Sequence, residues 1–146
     1  MHHPSYSVES VRLIEMATDV ALRCGAESID TTHIFVAYTM HGVSDAFSDA
    51  VGIVGGVVEG IDDAVIKLVP LYDRSKSVEG QVHPPQSSSM SRALGIADTL
   101  GSIVTPDHIM LGVMSVLAAQ ARLAFEKALH VNPDELVDAF RARVAE

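Results

Sequence analysis

Tryptophan is missing from the chain, and phenylalanine and tyrosine together supply only 5% of its 146 residues. A core must therefore be assembled from Ala, Val, Leu, Ile and Met, whose small members let helices approach closely. Cysteine occurs once, as Cys24, so no intrachain disulfide can form and a reducing, cytoplasmic setting is the expectation. Basic residues are scarce: 10 Lys and Arg stand against 19 Asp and Glu, giving a formal net charge of -9. That sign repels a phosphate backbone, and no basic cluster overrides it, which argues against nucleic acid as a partner. No stretch reaches the roughly 18 apolar residues that span a bilayer, and the opening residues lack the charged-then-apolar order of a secretory leader. With 48% hydrophobic residues the sequence still has ample material for one globular domain.

What the chain does have is internal repetition. Ala46, Phe47 and Ala50 recur as Ala124, Phe125 and Ala128, 78 positions later. Ile29-Asp30-Thr31-Thr32-His33-Ile34 is answered by Val104-Thr105-Pro106-Asp107-His108-Ile109, and Ala17, Ala21 and Gly25 by Ala93, Ala97 and Gly101. Three blocks in one order indicate a duplicated unit. Each copy divides into four helices, so the expected fold is all-α, a pseudo-twofold pair of four-helix units. The first copy runs over approximately 6–69 and the second over approximately 86–144. A Ser- and Pro-bearing linker over approximately 70–85 joins them.

The helix boundaries follow from local chemistry. Val11, Ile14, Ala17, Ala21 and Cys24 form a helical stripe expected to face the core, and Gly25 is placed to end that helix. Asp30 or Thr31 can cap a second helix carrying Ile34, Ala37, Tyr38 and Met40, and Ser44 can cap a third with Ala46, Phe47, Ala50 and Val51. A fourth is expected near Val57 to Leu68, weakened by Gly60 and preceded by Gly55 and Gly56. In the second copy Met90, Ala93, Ala97 and Leu100 mark the first buried face, followed by Ile109, Gly112, Val113, Val116 and Leu117. Thr105-Pro106 and Asn132-Pro133 are both a capping side chain followed by proline at the first helical position, where its missing N–H costs nothing. Leu136, Val137, Phe140 and Val144 give the last helix its apolar side.

Catalytic patterns are not found. His33 and His108 hold equivalent positions in the first turn of a helix, which suits a repeated structural histidine orienting the preceding loop. No His-Glu-x-x-His run, Cys-x-x-Cys pair or dense carboxylate set accompanies them, so neither a metal nor another cofactor is expected. His41, His83 and His130 fall at helix ends or in the linker. Cys24 lies on an apolar face, as a buried small residue does; the adjacent Asp62 and Asp63 do not face each other on a helix. The glycines from Gly52 to Gly60 lack the spacing of a phosphate loop. The chain is read as a non-enzyme.

In order and duplication these residues resemble the double repeat at the amino end of Clp-type ATP-dependent unfoldases, the Clp N-terminal or Clp-R domain. The likeness runs from Tyr6 to Val144: Tyr6-Ser7 for an opening aromatic and threonine, Ala17 to Gly25 for an Ala-rich helix, and Ile29 to Ala37 for a short start before an apolar helix. Val51-Gly52-Ile53 and Leu129-His130-Val131 complete the two copies. The resemblance implies a module that receives protein segments or adaptors without hydrolysing ATP. It also implies polar sites, used by some members for phosphoarginine, at Thr32 and Asp107. Thr32 stands where an acid is usual, and Val82-His83 takes the approximate place of the opening pair in the second copy. The expectation is thus a free-standing accessory or decoy domain of the Clp proteolysis system. Its candidate surface is Tyr6, Ser7, Val82 and His83, with separate polar sites at Thr32 and Asp107. Tyr6 either meets a ligand or closes the end of the bundle, and Asp107 either meets a ligand or favours its helix N-terminus. Partners to consider are exposed protein segments, arginine-phosphorylated proteins, cyclic hydrophobic peptides and Clp unfoldase or protease components. The alternatives are a structural docking module for another Clp component and, more remotely, a small enzyme.

Overall fold

The computed structural model describes residues 5–116, 122–123, 126–127 and 129–145, and it is all-α apart from two short parallel pairings. The order is β1 (Ser5–Tyr6), α1 (Val8–Arg23), α2 (Thr31–His41), α3 (Asp45–Ile53), α4 (Ile61–Ile66), α5 (Ser88–Asp98), β2 (Ile103–Val104), α6 (Pro106–Ser115) and α7 (Pro133–Val144). Within the first helical cluster α1 packs on α2 and α2 on α4; within the second α5 packs on α6 and α6 on α7. This is a duplicated helical unit. Leu117, Ala124, Phe125 and Ala128 of the second copy, and the side chains of Asp62 and Ala64, lie outside the described residues.

The caps explain where the helices start. Ser7, Ser44 and Ser87 are extended residues whose hydroxyls accept from the backbone N–H three positions on, at 3.1, 3.1 and 3.0 Å. Asn132 Oδ1 accepts from the N–H groups of Asp134 and Glu135 ahead of α7. Gly25 follows α1 with φ +66°, the left-handed conformation that a Cβ disfavours, and its N–H bonds the Leu22 carbonyl.

Three expectations need correction. Of the expected α1 stripe, Ala17 and Ala21 are buried and Ile14 and Cys24 pack partly buried against the core, but Val11 is 46% exposed. Ser10 turns inward in its place because, although polar, it is satisfied inside: its hydroxyl donates to the Val104 carbonyl at 2.7 Å. Met40 and Leu100, at the ends of their apolar series, are likewise on the surface. Finally, α4 is only six residues long. Gly60 immediately before it has φ +82°, so the backbone cannot enter a right-handed helix any earlier.

The two halves interlock rather than merely touch. Ser5 and Tyr6 pair with Ile103 and Val104, and the Ser7 N–H reaches the Val104 carbonyl. Reciprocally, Ile29 pairs with Gln86: the Ile29 N–H donates to the Pro85 carbonyl and the Ser87 N–H to the Ile29 carbonyl. The segment leading into each half's first helix is therefore paired with the segment leading into the other half's second helix. The core crosses the junction too, since α3 packs on α7. There Phe47 sits edge-on to Tyr38 at 5.7 Å and to Phe140 at 5.4 Å between ring centroids.

Candidate functional site

The interlock gathers most of the polar groups of interest. At one end, β1 delivers Tyr6, half-buried, with its hydroxyl donating to Asp98 Oδ1 at 3.1 Å. Burial first, and then the neighbouring Asp98 charge, push the Tyr6 phenol up to about 12. Ser7 is committed to the cap of α1 and also donates to the Ser10 hydroxyl. Tyr6 is thus tied to the end of α5 while staying partly exposed.

A raised phenol makes a prediction about alkali. The proton-bound Tyr6 contributes its stability fully below the unfolded pKa near 10, and the contribution is lost as pH rises towards about 12. At about pH 11, in the middle of that window, the phenolate absorbance of folded protein should fall below that of urea-unfolded protein. Tyr6→Phe should narrow the difference. Equal phenolate content in the two states would defeat the assignment.

On the same side lies the junction of α2, α3 and α6. Asp107, in the first turn of α6, accepts from the Ser44 hydroxyl at 2.7 Å and from the Tyr38 hydroxyl at 3.4 Å. Ser44 serves twice, because the same oxygen accepts from the Phe47 N–H as the cap of α3. Tyr38 in turn accepts from the Ser44 N–H at 3.0 Å, and burial holds its phenol well above the usual range. Next to this cluster, Glu9, Leu13, His41, Gly42 and Pro106 border an open depression of about 150 Å³. The Asp107 carboxylate therefore has two hydroxyl partners from the other half, besides its favourable place at a helix N-terminus.

The remaining candidates are distributed differently. Thr32, partly exposed in the first turn of α2, is next to Thr31, whose N–H donates to Asp30 Oδ1 at 2.7 Å. Ser87 donates to that same Asp30 oxygen at 3.0 Å, a second polar tie between the halves. Val82 is 90% exposed and His83 is exposed, both in the connecting segment. The residues that match Tyr6-Ser7 by their bonds are Gln86-Ser87, because α5 is 11 residues against 16 in α1 and begins about a turn later. Sequence reading missed Tyr38, Ser44 and Asp98 as polar partners. Ser44 had been readable as a cap, but a cap uses the oxygen as acceptor and leaves the O–H free to donate elsewhere.

His33 and His108 occupy matching places. His33 Nδ1 accepts from the Asp30 N–H at 2.9 Å, and His108 Nδ1 from the Thr105 N–H at 3.2 Å. Thr105 Oγ1 returns the bond by accepting from the His108 N–H at 3.3 Å, a capping box with histidine in the place of the usual Glu or Gln. Cys24 is half-buried, and burial raises its thiol. Among the described residues no three His, Cys, Asp or Glu side chains come together as a metal site, and no helix is long and apolar enough to cross a membrane.

No protein-family model matches the sequence, and no curated protein matches it. Solved structures do share its fold. The N-terminal domain of Hsp104 from Candida albicans is similar with a TM-score of 0.70 at 15% identity, covering 93% of this chain and 89% of that one. The N-terminal domain of the caseinolytic protease associated chaperone ClpD from Arabidopsis thaliana gives 0.64 at 17% identity, covering 97% and 95%. A chain from structural investigations of a malarial protein secretion system gives 0.73 at 13% identity, covering 96% and 94%. The fold is thus that of Clp-type N-terminal domains over nearly the whole chain.

Proposed function

We propose that this chain is an accessory or decoy protein-binding module of the Clp proteolysis system that receives exposed, unmodified protein segments and performs no catalysis. The observation that carries this reading is the shared fold with the Hsp104 and ClpD N-terminal domains across nearly the full length of both partners. The binding surface would be the interlocked end carrying Tyr6 and Ser7 together with the depression beside Asp107 and Pro106. Val8, Val11 and Ile103 add exposed apolar area around β1 and the start of α1.

Arginine-phosphorylated segments fit this surface poorly. A guanidinium seeks an available carboxylate at each site, but Thr32 carries no charge, which leaves Asp107 alone, with its Oδ1 already taking two hydroxyl bonds. The net charge of -9 also repels the phosphate. Fluorescence anisotropy with labelled casein and with arginine-phosphorylated casein should give Kd values within about threefold of each other, a difference below 1 kcal/mol. Absence of binding to either form would remove the reading, as would a strong preference for the phosphorylated one. Binding only to an assembled Clp unfoldase ring would instead establish a docking module.

A further inference from the structure

His33 and His108 both bond the backbone directly beside the interlock. Each ring accepts a backbone N–H through Nδ1, which only a neutral imidazole can do. Each of those N–H groups belongs to the residue directly after a cross-half pairing: Asp30 follows Ile29, paired with Gln86, and Thr105 follows Val104, paired with Tyr6. Asp30 also accepts from Ser87, and the Val104 carbonyl receives both Ser7 and Ser10. We propose that His33 and His108 are paired acid-sensitive catches, whose protonation frees the Asp30 and Thr105 amides and loosens the pairing of the two halves.

The surroundings of His33 favour the neutral ring. His33 is 8% exposed, and the residues bordering the adjacent depression are Cys24, Gly25 and Ala26 from the end of α1 and Leu68, Val69, Pro70 and Leu71 after α4. None of these is a carboxylate. The charged group that acts on the ring is Asp30 on its own loop, which favours protonation. Burial outweighs Asp30 and lowers the His33 pKa. The His108 ring lies beside Gly101, and the neighbouring acid on its helix is Asp107, engaged by Ser44 and Tyr38.

For a histidine held neutral, the stabilisation is present above the unfolded pKa near 6.5 and is lost as pH falls through the lowered folded value. General electrostatics predicts the opposite trend. Acidification towards the sequence pI of about 5.1 reduces the net charge of -9 and its self-repulsion. A falling melting temperature on mild acidification is therefore diagnostic.

The test compares melting of the wild-type chain with the double variant His33→Gln, His108→Gln. Glutamine is the ordinary residue of a capping box and can still accept the N–H, but it does not titrate. From about pH 7.5 to about pH 5 the wild type should lose roughly 3–8 °C in melting temperature, and the double variant should stay level or gain. Parallel losses in the two proteins, or a wild type that gains, would overturn the proposal. Should the double variant fail to fold, amide hydrogen exchange on the wild type decides instead. After correction for intrinsic rates, protection at Asp30, Thr105, Ser7 and Ser87 should fall together with acid while that of the core of α1 persists. Uniform protection at both pH values would reject the catch.

Discussion

Gly112→Ala should destabilise the protein by at least about 2 kcal/mol, although the same exchange in an open helix stabilises by roughly 0.5–1 kcal/mol. Gly112 lies inside α6, where that helix crosses α5. A Cβ there would run into the Ala93 carbonyl oxygen and sit 3.0 Å from its carbon. Those atoms are backbone of a buried helix turn, so no rotamer change relieves the clash and the two helices must separate. Separation opens gaps around Ala93, Ala97, Ile109 and Val113, all fully buried. Gly95 supplies the control, since it lies in α5 with nothing within 4 Å of an added Cβ. Urea denaturation should show Gly95→Ala at or above wild-type stability and Gly112→Ala well below it. A Gly112→Ala variant as stable as wild type would show that the helix pair does not pack this closely.

The second large effect is expected at Phe47. Its ring is 1% exposed and stands edge-on to both Tyr38 and Phe140, so it links α2, α3 and α7 across the two halves. Truncation to Ala removes the transfer free energy of the ring, leaves a cavity and abolishes both edge contacts, at a cost of about 3–5 kcal/mol. Set against a typical total of about 5–15 kcal/mol, that leaves a marginal fold. Phe47→Leu should cost less and keep the chain folded for comparison. In a double-mutant cycle with Phe140→Leu the two losses should be non-additive, because the second substitution acts on a contact already weakened. Additive losses would mean that the rings do not share one packing unit.

Local chemistry was legible in the sequence wherever one residue satisfies its own neighbours. Ser44, Thr105-Pro106, Asn132-Pro133 and Gly25 do so, and the structure puts helix boundaries at each. The helical period was also readable, yet it put Val11 rather than Ser10 on the inner face of α1, because periodicity counts Ser10 as polar and cannot see the Val104 carbonyl that makes it an inside residue. The candidate site was less legible for a similar reason. Asp107 stands out by comparison with Thr32, but its partners Tyr38 and Ser44 are 69 and 63 positions away, and both read as ordinary core and cap residues. Likewise, the numerical offset that aligns Ala17 with Ala93 carries Tyr6-Ser7 onto Val82-His83. The shorter α5 shifts the bonded equivalent to Gln86-Ser87, and a difference in helix length leaves no trace in composition.

The exchanged pairings also bear on how such a chain can be made. A ribosome delivers Ser5 and Tyr6 first, yet the Val104 carbonyl that receives the Ser10 hydroxyl is 94 residues further along, and the Ser87 hydroxyl that meets Asp30 is 57 beyond it. A nascent first half therefore carries amides at its leading edge that only water can pair, until the matching segments of the second half have emerged. Such distant closures slow the search for the native arrangement and make the end state cooperative. Each half is in effect the other's missing edge. A polypeptide cut in the connecting segment yields two fragments with matching open edges, each offering the groups that the other lacks.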